Sequence, residues 1–307
     1  MESASGRALS ANAFAFAHVS DLHLPYEAEL TWAQRFSKRQ LSVWSWRRRR
    51  AVQRPEILVA LRSDVQARQP PHIVVTGDVT NFSLPGEYRG AAEWLQAFAG
   101  GSQLSVVPGN HDALVPVPGP DGLAQWAAWM EGAQQWPYVT RHAAVAFIGL
   151  STALPTAPLL ASGQVGQEQL QRLESVLHEE GKAGRIRVLL MHHPIADGAV
   201  RRRKALSDRG ALRAVLQRAG AELVLHGHAR SARLESVPGP RGPIPVLCVP
   251  SSSALPNPRD EAARWHHVTL PAPGGPRWAQ VLVRQWSLAA GNFVDAASYE
   301  LRLPDME

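Results

Sequence analysis

Asp21-Leu22-His23, Gly77-Asp78, Gly109-Asn110-His111-Asp112, Met191-His192-His193-Pro194 and His226-Gly227-His228 each follow an apolar, β-type run. Their side chains are carboxylates, imidazoles and one amide, the oxygen and nitrogen donors that bind divalent metals. Asp21 and His23 stand two apart at the end of an extended run, which turns both to one face and lets them grip one ion. The Asp78 carboxylate has two oxygens and enough lone pairs to bridge two ions. Asn110 offers an amide oxygen to the second ion, and His192 and His228 offer imidazole nitrogens. Mixed ligation of this kind suits Mn, Fe or Zn better than Mg or Ca. Two ions about 3.5–4 Å apart form a clamp for in-line displacement at phosphorus, with metal-bound hydroxide available near neutral pH.

Such distant residues need a frame that gathers them. Phe14 to Ser20 reads as a first strand, Ile57 to Arg68 as an amphipathic helix and Ile73 to Thr76 as a second strand. Glu87 to Ala99 has helical spacing, and Leu104 to Val107 is a third strand closed by Pro108-Gly109. Asp121 to Met130 and Gln167 to Glu180 read as helices, and Val145 to Leu150, Val188 to Met191 and Leu223 to Leu225 as strands. Beyond them, Val246 to Val249, His267 to Leu270 and Val281 to Trp286 are β-type runs between Pro/Gly turns. An alternating first part and a strand-rich second part predict two packed mixed sheets with helices outside. In such sheets ligands collect beyond the carboxyl ends of the strands, so the five runs converge despite their separation. Trp94, Trp126 and Trp129 fall on helical faces and are expected in the core. His18, His72, His142, His178, His193, His266 and His267 are expected to be structural or exposed.

Composition sets the bounds. Hydrophobic residues make up 45% of the 307 and charged residues 19%, a globular balance that excludes disorder. Cys248 is the only cysteine, which rules out an internal disulfide and a thiolate cluster and fits a reducing compartment. Residues 1 to 13 have no apolar core of signal-peptide length, and no stretch reaches the roughly 18 apolar residues needed to span a bilayer. The expectation is a single domain over 1–307, cytoplasmic, with an insertion at about 31–54. That insertion holds Arg35, Lys38, Arg39, Arg47, Arg48, Arg49, Arg50 and Arg54 and no carboxylate, so the net +6 of the chain is local to it.

Taken in order, D-x-H, G-D, G-N-H-D, H and a final G-H-containing run resemble the calcineurin-like metallophosphoesterase superfamily, over about Phe16 to Arg230. The resemblance implies a four-layer αββα sandwich and a dinuclear centre. It assigns Asp21 and His23 to the first ion, Asp78 to the bridge, and Asn110, His192 and His228 to the second. By the same resemblance His111 lies near the leaving-group oxygen as general acid or charge stabiliser, and Asp112 orients it. The implied reaction is hydrolysis of an anionic phosphodiester or pyrophosphate. The motif variants look most like the bacterial cyclic-nucleotide phosphodiesterase group.

One residue departs from the pattern. Where the superfamily has a second histidine in its last motif, this chain has Arg230, and a guanidinium does not ligate metal because it stays protonated. Three readings follow: a weak first site completed by water, a substitute donor such as His226, or an Arg230 that binds the substrate phosphate. On the first of them Arg230→His is expected to raise metal affinity. A non-catalytic relative that binds an anion or a partner in its cleft is the reading from another class.

The basic insertion interleaves its cations with Trp32, Phe36, Leu41, Val43, Trp44 and Trp46, the composition of an interfacial element on anionic lipid. Peripheral association with the inner face of the membrane and a lipid-linked substrate, similar in principle to those of UDP-diacylglucosamine pyrophosphatases, are expected from it. An insertion that packs its tryptophans on the domain is the rival reading, and binding of nucleic acid a third. The run Arg201-Arg202-Arg203-Lys204 either lines the approach of an anionic substrate or is solvated.

Overall fold

Alternating apolar residues build two sheets whose inner faces meet. A computed structural model of the chain describes residues 13–132, 135–142 and 144–305. The expectation about a leader concerns residues 1–13, of which 1–12 lie outside the described residues. The first sheet is formed by β1 (Phe14–Val19), β2 (His72–Val75), β3 (Gln103–Val106), β10 (Arg264–Leu270), β11 (Trp278–Ser287) and β12 (Asn292–Arg302), in the order β12-β11-β10-β1-β2-β3. The second is formed by β4 (Tyr138–His142), β5 (Val145–Gly149), β6 (Ile186–Leu190), β7 (Leu223–His226), β8 (Arg233–Val237) and β9 (Ile244–Cys248), in the order β4-β5-β6-β7-β9-β8. Both are mixed: β1, β2 and β3 run parallel, as do β5, β6, β7 and β9, while the other pairs are antiparallel.

Strand alternation divides the core. In β5, Val145 and Phe147 face the first sheet, where Phe147 meets Phe16 edge-on at 5.2 Å between ring centroids. Ala146 and Ile148 face the other way, into a second apolar layer with α5 (Gln167–Lys182) and α6 (Arg209–Ala219). On the outer side of the first sheet lie α3 (Pro55–Ala67), through Ile57, Leu58, Leu61 and Val65, and α4 (Pro85–Ala99), through Leu95 and Phe98. The expected αββα sandwich is the observed one. Trp126 is fully buried, and Trp94 and Trp129 pack partly against the core.

The differences are local. Asp121 to Met130 forms two short 3-10 turns, Gly119–Asp121 and Leu123–Trp129, with Gly122 between them in a non-helical conformation. The helix α6 was absent from the sequence reading, yet parallel β6 and β7 require a crossover of this kind. Strands β4, β8 and β12 were likewise not expected; β12 exposes most of its residues and β8 buries only Val237, so neither shows a strong apolar alternation. Within the insertion the chain forms α1 (Trp32–Arg35) and α2 (Lys38–Arg49), capped by Thr31 and Ser37. No described helix is long and apolar enough to cross a membrane.

Candidate metal centre

The loops after β1 and β2 leave their strands side by side. Asp21 N–H donates to Gly77 O, His23 N–H to Asp78 O and Leu24 N–H to Val79 O, each at 2.9 Å, so strand pairing continues into the loops that carry the ligands. Glycine is required where these loops touch. A Cβ on Gly77, whose φ is +93°, would lie 2.6 Å from Gly109 N and 2.7 Å from His192 Nδ1. Asp21, His23, Asp78, His228 and Arg230 are non-glycine residues with φ between 46° and 65°, and strain of this kind concentrates at functional sites.

The ligand atoms of Asp21, His23 and Asp78 lie within 4.8 Å of one another, as do those of Asp78, His192 and His228. All five residues are buried, and Asp78 is shared. Hydrogen bonds on the far side of each ring fix the tautomers. His192 Nδ1 donates to Thr76 O at 2.7 Å and His228 Nε2 to Lys204 O at 3.1 Å, which leaves His192 Nε2 and His228 Nδ1 as lone-pair nitrogens 3.1 Å apart. His23 Nδ1 donates to Asn81 Oδ1, whose own amide N–H donates to Leu24 O, so His23 Nε2 also presents a lone pair. The two nitrogens nearest the bridge, His192 Nε2 and His23 Nε2, stand 3.4 and 3.9 Å from Asp78 Oδ2. Acceptors so crowded require a cation among them. Asn110 Oδ1 points the same way: it is buried with no hydrogen-bond partner among the described residues.

The electrostatics agree. Burial works against charge on His192, but the Asp78 carboxylate overrides it and pushes the imidazole up to about 9. Burial also opposes charge on Asp78, yet His192 and His111 hold it well below the usual carboxylate range, whereas burial raises Asp21. His23 and His228 are held well below the ordinary histidine value by burial, with Arg49 adding to the effect on His23 and His193 on His228. With Nδ1 already donating to Thr76 O, the proton that Asp78 favours sits on His192 Nε2, facing that carboxylate, and a metal ion bound there would displace it and free the lone pair. The residues present fit two divalent ions, with Asp21, His23 and Asp78 around one and Asp78, Asn110, His192 and His228 around the other.

His193 is turned away, to Thr152 Oγ1 at 2.8 Å and Ala161 O at 3.2 Å. His226 belongs to neither ligand group; its Nδ1 faces its own neighbour Gly227 O, so a substitute donor there finds no support in the geometry. Arg230 bonds Asp260 through both ends of its guanidinium, Nε to Oδ1 and Nη2 to Oδ2, the latter at 2.6 Å. Asp260 is buried, so Arg230 is largely neutralised at the wall of the cavity. Asp112 does not touch the His111 ring. Its carboxylate accepts from the N–H groups of Val79, Thr80 and Gly109 and from Thr80 Oγ1, and it therefore positions the loops. Burial, with Asp78 nearby, raises it to about 6. Asn81 O, through His111 Nδ1 at 3.0 Å, is what orients the ring.

Two cations complete the site, one that the sequence does not single out and one from a run it leaves open. Arg49, at the end of α2, donates from Nη1 to His111 Nε2 at 3.2 Å. Lys204, the last residue of the 201–204 run, reaches the same cavity, while Arg201, Arg202 and Arg203 stay exposed. Its place in a charge run hides Arg49, because most cations in such runs are solvated, whereas of the two readings of the 201–204 run Lys204 follows the one toward the cavity and its three arginines the other. The cavity has a volume of about 190 Å³, and its wall includes Asp21, Asp78, Asn110, His111, Arg49 and Lys204.

The family model for calcineurin-like phosphoesterases matches residues 14–229. No curated protein sequence matches the chain. Among solved structures, a dimetal phosphatase from Danio rerio is similar over 94% of this chain and 98% of its own, with 13% identity and a TM-score of 0.63. A purple acid phosphatase from seeds of yellow lupin (Lupinus luteus) is similar over 95% of this chain, with 12% identity and a TM-score of 0.56; the chain spans 54% of that protein. At such identities the likeness concerns the fold alone.

Proposed function

We propose, from the premise that this chain belongs to the calcineurin-like phosphoesterase family, that it hydrolyses an anionic phosphodiester or pyrophosphate at the cavity around Asp78. The observation that carries the reading is the convergence of fixed imidazole lone pairs on one Asp78 oxygen. Two divalent ions held by these residues would supply activation of the attacking water and polarisation of the phosphoryl oxygens. The chain's own contribution is position. Asp21 is held by Ser20 Oγ at 2.8 Å and His228 N–H at 2.9 Å, Asp78 by His111 N–H at 2.8 Å, and His192 and His228 by backbone carbonyls. Arg49 places guanidinium donors where phosphoryl oxygens would lie.

The test is turnover of bis(p-nitrophenyl) phosphate and p-nitrophenyl phosphate with Mn²⁺, Fe²⁺ or Zn²⁺. Loss of groups that merely orient metal ligands costs about 10–100-fold, so Asp78→Ala, which removes a shared ligand, should cost at least about 100-fold. Absence of turnover with every metal, or indifference to Asp78→Ala, would favour a module that only binds anions.

The setting of the cavity supports a lipid surface as the place of action. Trp32 is 77% and Phe36 87% exposed, and Trp44, Leu159 and Leu160 are exposed with them. Lys38 Nζ donates to Leu160 O at 2.8 Å, which ties the insertion to the segment that precedes Ala161 in the cavity wall. Exposed Arg35, Arg47, Arg48 and Arg50 lie in the same segment, and apolar side chains among cations suit anionic headgroups. Co-sedimentation with phosphatidylglycerol vesicles, weakened by salt and by replacing Trp32, Phe36 and Trp44 with serine, is the expected result. Equal binding to neutral vesicles would remove the electrostatic part of the reading.

A further inference from the structure

The insertion does more than present a surface. Its helix α2 is fastened to the loop after β2: Ser42 Oγ donates to Asn81 O at 2.8 Å, and Arg39 donates to Phe82 O at 3.0 Å and Ser83 O at 2.6 Å. Trp46 packs edge-on against Phe82 in a small cluster completed by Leu84. This docking sets Arg49, at the end of the helix, over the cavity. Only Nη1 of its guanidinium is engaged, by His111; Nε and Nη2 are shielded from solvent with no partner among the described residues. Buried guanidinium donors without an acceptor are costly, and a ligand with anionic oxygens would satisfy them. Lys204 reaches the cavity from the other side, beside His228, and its ammonium forms no ion pair with a described residue.

The charges indicate what that ligand must carry. Asp260 offsets Arg230, and two divalent ions would more than offset Asp21 and Asp78. Arg49 and Lys204 then add two positive charges to which the protein supplies no counterpart. A phosphodiester brings a single negative charge, whereas a pyrophosphate linkage brings a second anionic group next to the scissile phosphorus. We propose that Arg49 and Lys204 form an anion subsite, delivered in part by the insertion, that selects substrates with a second phosphate adjacent to the one attacked. His111 Nδ1 donates to Asn81 O, so its Nε2 is an acceptor occupied by Arg49; the donors facing substrate are those of the guanidinium. Arg49 is thus a specificity-determining residue for the reaction. This inference rests on the phosphoesterase reading and narrows its substrate.

The experiment compares kcat/KM for a nucleoside diphosphate sugar with that for bis(p-nitrophenyl) phosphate, in wild type, Arg49→Ala, Arg49→Lys and Lys204→Met. One charge-assisted hydrogen bond is worth about 1.5–3 kcal/mol, so the ratio of the two should fall roughly 10–100-fold in Arg49→Ala. Arg49→Lys, which keeps the charge, should restore part of it, and Lys204→Met should lower the ratio in the same direction. A ratio unchanged in Arg49→Ala, or a wild type that cleaves only the diester, overturns the subsite. Calorimetry of the metal-loaded protein with inorganic pyrophosphate and with phosphate separates this failure from that of the phosphoesterase reading. If no substrate is turned over, tighter binding of pyrophosphate than phosphate that disappears in Arg49→Ala still supports the subsite, and equal binding of the two anions refutes it.

Discussion

Arg230 occupies the position of a histidine ligand, and the structure gives it another task. Its guanidinium is held by Asp260, whose side chain is only 3% exposed, so the pair forms a wall of the cavity and a first ion would have Asp21, His23 and Asp78 as its protein ligands. Removing one partner of a buried pair costs about 3–5 kcal/mol because the other charge is stranded. Arg230 is itself about one-third exposed, so Arg230→His should cost less, roughly 2–3 kcal/mol, with most of it regained when Asp260→Asn is added. Denaturant titration of the two single variants and the double variant measures this coupling; simple additivity would mean that the pair does not act as one. The gain in metal affinity expected from Arg230→His is therefore a property of the double variant. The departure at 230 is plain in the sequence, but its partner lies 30 residues further on without any spacing signal. Arg49 was equally hidden, since nothing in a run of four arginines says which one turns inward.

Among the elements, α2 links surface to site. It buries only Ser42 and Trp46, and both contact the loop that follows Asp78. Large aromatic residues truncated to alanine cost about 3–5 kcal/mol in a core, and Trp46, at the edge of a small cluster, should lie near the lower end. Trp46→Ala should also diminish the preference for pyrophosphate substrates, because it loosens the helix that carries Arg49. If stability falls and that preference stays intact, Arg39 and Ser42 suffice to hold the helix. Strands β1, β2, β3, β6 and β7 were legible because each is an apolar run ended by a motif. The helix α2 was not, since its cations and aromatics follow no apolar stripe of helical period, and the same composition describes an interfacial segment. The structure divides these aromatics: Trp32 and Trp44 are exposed, while Trp46 is buried against the domain.

At the scale of the whole molecule, the candidate metal centre lies at a joint between the two sheets. Asp21, His23, Asp78 and Asn110 follow β1, β2 and β3 of the first sheet, whereas His192 and His228 follow β6 and β7 of the second. Ions held there would engage donors from both sheets, and the unfolded chain presents no such arrangement. Binding to the native state alone stabilises by about 4 kcal/mol when the free metal is 1,000-fold above its Kd. For a chain of this size each kcal/mol moves the midpoint by roughly 2–4 °C, so chelation should lower Tm by roughly 8 °C or more. Asp78→Ala should abolish the response to metal, because Asp78 belongs to both ligand groups, while Asn110→Ala should only weaken it. Differential scanning calorimetry with Mn²⁺ or Zn²⁺ against EDTA decides the matter: a midpoint indifferent to metal in the wild type would contradict a centre that fastens one sheet to the other, whatever the turnover assays show.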